Sequence, residues 1–363
     1  MAKTAAFLAP ELEIGIVCDA GTSLTGLHGL TDLFTYATEM SAKLQGSAES
    51  TSVRIVHWRA GDGEGDVAST SDTHPWLPHA PNVLILPGNL RATQQSLASS
   101  VLIPWLRKQH AEGVVIAAVC GGVFLLAETG LLAGRQATTH WALAEHFTAR
   151  FPSVLMESDQ MVIDYGDVVT AGGVLAWADL GLRLTERFLG PSVMLETARY
   201  MLMDPPRREQ RYYSDFNPRT KHGDAAILKA QHWLWTQRES SVSVADIAVY
   251  TCLQPRTLLR RFTKATGMTP SEYQQRLRVT RARELLEFSQ RSIDDIAASV
   301  GYDDAGRFRR MFQKIMGLTP SEYRRRFSRF GTPAIKAETG VRNWDQSALP
   351  LTKKSKPARE SAT

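Results

Sequence analysis

An internal repeat of roughly fifty residues constrains this chain more than any other feature, because both copies must form the same unit. One copy runs "SVADIAVYTCLQPRTLLRRFTKATGMTPSEYQQRLR" from Ser243; the other runs "SIDDIAASVGYDDAGRFRRMFQKIMGLTPSEYRRRF" from Ser292. Asp246-Ile247-Ala248 recurs as Asp295-Ile296-Ala297, and Thr269-Pro270-Ser271-Glu272-Tyr273 as Thr319-Pro320-Ser321-Glu322-Tyr323. The offset slips from 49 to 50 between these anchors, so one insertion falls in the turn between them. Each copy predicts a short helix holding Asp-Ile-Ala, a turn, and a second helix ending near Phe262 or Phe312. Leu258 and Phe262, like Phe308 and Phe312, are spaced i, i+4 and face a core. Arg256 and Arg260 are offset from that pair by about 200° around the helix, and Arg310 holds the matching position, flanked by Arg307 and Arg309. A helix packed on one face and lined with arginine on the other suits base edges or phosphates in a major groove. Gly267 and Gly317 suit helix C-caps, and each Thr-Pro-Ser-Glu suits a new helix start.

Charge divides the chain in the same place. Residues 1–220 carry 16 Lys+Arg against 23 Asp+Glu, a net of −7, whereas residues 221–330 carry 20 against 11, a net of +9. The last 33 residues add +3. A basic second half predicts a polyanionic partner for that half alone. With 43% hydrophobic and 22% charged residues, the bulk is globular, and the length predicts two or three domains. Three cysteines, Cys18, Cys120 and Cys252, without Cys-x-x-Cys spacing exclude a disulfide scaffold and argue against a metal site, as expected of a cytoplasmic chain. The most apolar stretch, 114–127, is too short to span a bilayer, and no signal-peptide core is evident, so no membrane partner is expected.

Up to residue 204, short runs apolar on both faces (12–18, 53–58, 83–86, 114–119) alternate with helical stretches (29–44, 100–110, 122–128, 141–150). That pattern predicts an α/β doubly wound, flavodoxin-like parallel sheet. Paired short strands are expected over 154–170 with a turn at Tyr165-Gly166-Asp167, then helices over 174–189 and 192–203. The expected organisation is therefore a domain over 1–204, a polar linker over 205–221, an all-α domain with two helix-turn-helix units over 222–331, and a disordered basic tail over 332–363.

Within the α/β half, Val119-Cys120-Gly121-Gly122-Val123 places a cysteine between a strand and a helix, where helix dipoles would favour thiolate. His140 follows twenty residues on and could pair with it, while the N–H of Gly88, after another strand, could donate to a bound oxyanion. The more common reading of such a cysteine is inert core.

The segment 226–327 resembles the AraC/XylS-type DNA-binding domain, in which two helix-turn-helix units are joined by a long helix, here 271–288. The second unit, with Ile296-Ala297, Gly301-Tyr302, Phe308, Phe312, Gly317, Pro320 and Tyr323, carries the resemblance best. It implies base-edge contacts for Arg256, Arg260, Arg307 and Arg310 and phosphate contacts for Thr257, Arg261 and Arg309. Leu259 and Gly306 stand where relatives are often polar. Residues 13–186, through "CGGVFLLAETGLLAGRQATTHW" and "TAGGVLAWADLGLRL", resemble the PfpI-like branch of the class I glutamine amidotransferase-like superfamily. That branch uses the elbow cysteine with a histidine and often a carboxylate from the loop after the first strand; here the loop, 21–28, has none, Asp19 comes before it and Asp32 after it, and Asp179 could approach His140.

The joined architecture resembles GlxA-type transcriptional regulators. It implies a regulator rather than an enzyme, most naturally an activator, that binds promoter DNA, works as a homodimer with RNA polymerase, and uses no cofactor. An effector such as an amino acid or quaternary amine would bind near Cys120, Gly121, Gly88, His140 and Asp179, with Trp141 and Trp177 as an aromatic face. The alternative is a cysteine-dependent hydratase or amidohydrolase fused to a DNA-binding domain.

Overall fold

In the computed structural model, which describes residues 12–19, 21–45, 51–61, 67–89, 98–205, 208–240 and 242–330, the first half is built on one seven-stranded sheet. Its elements are β1 (Leu12–Cys18), α1 (Leu24–Gln45), β2 (Val53–Ala60), β3 (Val67–Asp72), β4 (Val83–Leu86), α2 (Ala98–Ala111), β5 (Val115–Val119) and α3 (Gly122–Glu128). There follow β6 (Gln136–Ala137), a 3-10 turn at Trp141–Leu143, α4 (Ala144–Arg150), β7 (Leu155–Met156), β8 (Val162–Asp164), β9 (Val168–Ala171), α5 (Trp177–Leu189) and α6 (Pro191–Tyr200). The strand order is β3-β2-β1-β4-β5-β9-β8, with a parallel centre and antiparallel strands at both edges. β4 and β5 are buried on both faces, as strands covered by helices must be. Helices α1, α5 and α6 form the core on one face, and α2 and α3 on the other.

The doubly wound layer is as expected; besides the two-residue β6, the strand that sequence patterning does not find is β3. Its residues Val67-Ala68-Ser69-Thr70-Ser71-Asp72 are largely exposed and polar, so it has the composition of a loop. What holds it is Arg54 in β2. This guanidinium is 1% exposed, donates to Asp72 at 2.6 and 2.9 Å and to Glu13 at 3.1 Å, and fills its remaining donors with the carbonyls of Leu77 and Pro78. A buried cation is tolerated only with this degree of pairing.

The second half is helical: α7 (Ala225–Thr236), α8 (Val244–Thr251), α9 (Pro255–Thr266), α10 (Pro270–Phe288), α11 (Ile293–Ser299), α12 (Ala305–Met316) and α13 (Pro320–Phe327). The repeated residues explain themselves physically. Ser243 and Thr269 each close a capping box with the acid three residues on, Asp246 and Glu272, and Thr319 with Glu322 does the same. Ile247 and Ala248 are buried behind the Ser243 cap, and Ile296 and Ala297 behind Ser292, whose side chain accepts the Asp295 N–H. Tyr273 packs edge-on to Phe262 (ring centres 5.3 Å) and Tyr323 to Phe312 (5.5 Å), so each Thr-Pro-Ser-Glu-Tyr both starts a helix and plugs a core. Gly267 and Gly317 end α9 and α12 at φ 76° and 77°, as C-caps. The insertion lies between α11 and α12: Val300–Asp304 are five residues where the first copy has four, Thr251–Gln254, the first of which still closes α8. The tail expected over 332–363 lies outside the described residues.

The run expected as a linker is packed along most of its described length, which begins again at Arg208. Gln210 is 2% exposed within the α/β half, whereas Tyr212, 5% exposed, belongs to the core of the second helix-turn-helix unit.

Candidate functional sites

The sheet reverses its winding between β1 and β4, which is where α/β folds leave a crevice at the carboxyl ends of their strands. Pro87 and Gly88 follow β4 there, and Cys120 follows β5. Cys120 has φ 51°, a left-handed conformation unusual for a residue with a side chain, and its N–H donates to Ala171 O at 2.7 Å. The bend after it depends on Gly122: a Cβ there would strike the carbonyl oxygens of Leu86 and Pro87, so only glycine lets α3 start this close to β4. A Cβ built on Gly88 would lie 3.5 Å from Cys120 Cβ and 3.9 Å from Ser23 Cβ, so residues 23, 88 and 120 converge. Ser23 donates its N–H to Gly88 O at 2.7 Å, and its hydroxyl lies 2.9 Å from that of Thr25.

The electrostatics differ from the sequence expectation. Burial pushes the Cys120 thiol up, and the Gly121 backbone N–H offsets that only partly, so the thiol is favoured over thiolate. His140 caps the 3-10 turn: its Nδ1 accepts the Ala142 N–H at 3.1 Å, and burial pushes its pKa down, keeping the ring neutral. Among the described residues no hydrogen bond joins Cys120 Sγ to His140. The two are linked instead through Thr139, whose hydroxyl donates to Cys120 O at 2.6 Å. Asp179, in the first turn of α5, does not serve His140 either; it is 2% exposed and gripped by Arg208, whose Nε donates at 3.0 Å. Trp177 lies over Gly29 of α1, 2.6 Å from where a Cβ would stand, which makes it part of the core beneath α1. Gly121 lines a small cleft with Cys18, Asp19, Thr22, Asn89, Phe124 and Glu128. In that cleft, the Asn89 amide donates to both Asp19 carboxylate oxygens.

Sequence reasoning passed over Ser23 and Gln210. Ser23 stands in the loop scanned for a carboxylate, where a hydroxyl carries no signal; Gln210 is one polar residue in a polar run. Among the described residues no cluster of three or more His, Cys, Asp or Glu could hold a metal ion, and no helix is long and apolar enough to cross a membrane.

In the helical half, Leu258, Phe262, Phe308 and Phe312 are 0% exposed, while Arg256, Arg260 and Arg310 are exposed on the opposite faces of α9 and α12, with Arg307 and Arg309 exposed on the flanks of α12. Three of the predicted contact residues are partnered, Arg310 only loosely, its guanidinium 4.0 Å from Asp304, the N-cap of α12. Arg261 forks onto Asp224, the N-cap of α7, at 2.6 and 2.8 Å, and that hydrogen bond holds the carboxyl below its usual range. Arg309 pairs at 2.5 Å with Asp294 of α11. Thr257 is half-buried and Leu259 is 39% exposed between arginines. Helix α10 buries Tyr273 and Leu277 in the first unit and Val279, Ala282 and Leu286 in the second, holding the two at a fixed separation.

The chain thus sets an α/β layer with a cysteine elbow ahead of two helix-turn-helix units on a shared helix. Residues 70–187 match the model of the DJ-1/PfpI family, and residues 227–326 match that of the helix-turn-helix domain. The chain therefore joins a DJ-1/PfpI domain to an AraC-type helix-turn-helix domain. Among curated relatives, it is 29% identical to the HTH-type transcriptional regulator ArgR of Pseudomonas aeruginosa, over 56% of this chain and 62% of that one. It is 27% identical to CdhR of the same organism, over 58% and 62%, and 28% identical to GlxA of Rhizobium meliloti, over 56% and 63%. The chain thus spans about three fifths of the length of these relatives.

Proposed function

We propose that this protein is a sequence-specific DNA-binding transcription regulator whose α/β half binds a small effector. The observation that carries the reading is the matched pair α9 and α12, each buried on its Leu/Phe face and arginine-lined on the other. Helix α10, 19 residues and about 28 Å long, spaces the units on the scale of one DNA helical turn. Arg256, Arg260, Arg307 and Arg310 read base edges; Thr257 grips phosphate, and Arg261 and Arg309 do so alongside their carboxylate partners. The effector, an amino acid or related nitrogenous compound, binds beside Cys120, Gly88, Gly121 and His140. The protein acts in the cytoplasm as a homodimeric activator that contacts RNA polymerase, and the organisation into 1–204, 205–221 and 222–331 belongs to the same proposal.

Two experiments test it. Footprinting of Arg256→Ala and Arg307→Ala on DNA selected by the wild type, against scrambled DNA, should show discrimination falling by about 1–3 kcal/mol per lost contact; unchanged footprints refute the recognition-helix assignment. A thermal-shift screen of the full chain against amino acids, betaines and polyamines should find a compound that raises the melting temperature, because ligand binding to the folded state alone stabilises it. The thiol kept protonated by burial, without a histidine partner, weighs against the hydratase or amidohydrolase alternative. Cys120→Ala should keep effector binding if the site senses, and lose all turnover if it catalyses.

A further inference from the structure

Both family matches stop short of residues 208–216, yet these residues are among the most heavily tied in the molecule. Gln210 enters the α/β half so deeply that a Cβ on Gly172, after β9, would collide with its amide. Its Nε2 has three acceptors within hydrogen-bond distance, Thr139 O at 2.9 Å, Thr138 Oγ1 at 3.0 Å and Gln160 O at 3.0 Å, which share its two N–H groups, and its Oε1 accepts the Trp141 N–H at 3.3 Å. One side chain therefore holds residues on both sides of His140, in the strand-end loop whose Thr139 also holds the Cys120 carbonyl. Its own N–H bonds Asp159 O at 2.8 Å, and Arg208 beside it is locked on Asp179.

Two residues later the chain is inside another core. Tyr212 packs with Val279, Ile296, Phe308, Phe312 and Met316 of the second helix-turn-helix unit, and its hydroxyl accepts the Glu209 N–H at 2.8 Å. Arg326 of α13 stands over the Tyr212 ring at 5.0 Å and donates to the Tyr213 hydroxyl at 2.7 Å. Arg283 of α10 holds Ser214 O at 2.6 Å. The ties to the first unit come further along: Phe216 packs against Tyr273, and Gln231 of α7 donates to Arg219 O at 2.8 Å, while the Arg219 side chain reaches back to Glu145 of α4 at 3.3 Å, both of those charged side chains more than half exposed.

We infer that Gln210 is a positioning residue of the effector site, and that residues 208–213 form a strap coupling the His140 loop to the second helix-turn-helix unit. The inference rests on the regulatory reading above. A ligand that shifts the 138–141 loop must rearrange the three contacts that loop makes with the Gln210 side chain, and Tyr212 is too close along the chain to stay still. Coupling of this kind is reciprocal, so DNA on α12 must be felt at the loop.

Reciprocity allows a test without a known effector, by peptide-resolved hydrogen exchange on the full chain. The probe is duplex DNA selected by the wild-type protein from a random pool. DNA should slow exchange over 138–141 in the wild type, by roughly threefold to tenfold if one net hydrogen bond is stabilised, and should leave that loop unchanged in Gln210→Met. Without DNA, Gln210→Met should speed exchange in α12 as well as the loop, and leave α8 and α9 as they were; a merely structural glutamine would loosen only the loop. Should Gln210→Met fail to fold, Thr138→Val removes one of its acceptors at nearly constant shape and should give the same pattern more weakly. DNA that binds without any change at 138–141 overturns the strap and leaves the regulatory reading intact. Failure to select any DNA removes both.

Discussion

The two helix-turn-helix units share a sequence pattern, a cap chemistry and a Phe–Tyr core contact, but different neighbours complete them. The first is closed by α7, whose Ile227, Ala230 and Leu234 join Leu258 and Phe262. The second is closed by the connecting segment, through Tyr212 and Tyr213, and by α13. Duplication of a motif thus fixes the residues inside each copy and leaves its third wall free to differ. In this chain the wall of the second copy comes from the segment that also enters the α/β half.

The largest effect that could break this comparison comes from emptying the cores. Phe262→Ala and Phe308→Ala should each cost about 3–5 kcal/mol. Hydrogen exchange should rise over α7–α9 for the first change, and over α11–α13 for the second. If either change loosens both units equally, they form one cooperative body and the distinction between their walls has no energetic meaning.

Next come the exposed arginines at matched positions. Arg260→Ala and Arg310→Ala should each weaken binding to selected DNA by about 1–3 kcal/mol, and each should relax base preference in a different half of the site. Relaxation in the same half would mean that the units do not read neighbouring segments.

A smaller effect separates the paired arginines. Asp224→Asn keeps an N-cap acceptor for α7 but releases Arg261, and Asp294→Asn releases Arg309. Each released cation that finds a phosphate should steepen the salt dependence of DNA binding, by about 0.9 in the log–log slope. A slope that stays put would show the arginine to be out of reach of DNA.

The smallest effect lies in the α/β half. His140 has its folded-state pKa depressed by burial, so its contribution to stability is present above the ordinary histidine value of 6.5 and is lost as pH falls through the lower folded value. Melting temperatures between pH 7 and pH 5 should therefore fall less for His140→Asn, which retains a capping side chain, than for the wild type. Parallel curves would mean that His140 titrates as it does in the unfolded chain.

The sequence made some of this visible and hid the rest for physical reasons. Strand β4 is legible to the residue because burial on both faces leaves an unbroken apolar run, and β1 because only the buried Glu13 interrupts such a run. The repeat is legible because caps and core positions each demand particular side chains. β3 is hidden because an edge strand with solvent on most of its surface has no pattern to show, and Arg54, which secures it, lies in another strand. At the candidate site, Cys120 and Gly88 are brought together as their positions after neighbouring strands imply, whereas His140 and Asp179 carry other bonds. Those bonds are made by Ala142 N–H and Arg208, and nothing in a linear string marks such partners.

The glycine at 122 bears on what such an elbow can be taken to mean. The bend is required by the contact between α3 and the carbonyls that end β4, whatever atom stands on the residue before it. A lineage could exchange the sulfur at 120 for a methyl or hydroxyl group and inherit the same turn unaltered. The shape of the seat is upheld by architecture, and its chemistry is free to be kept, dropped or turned to recognition.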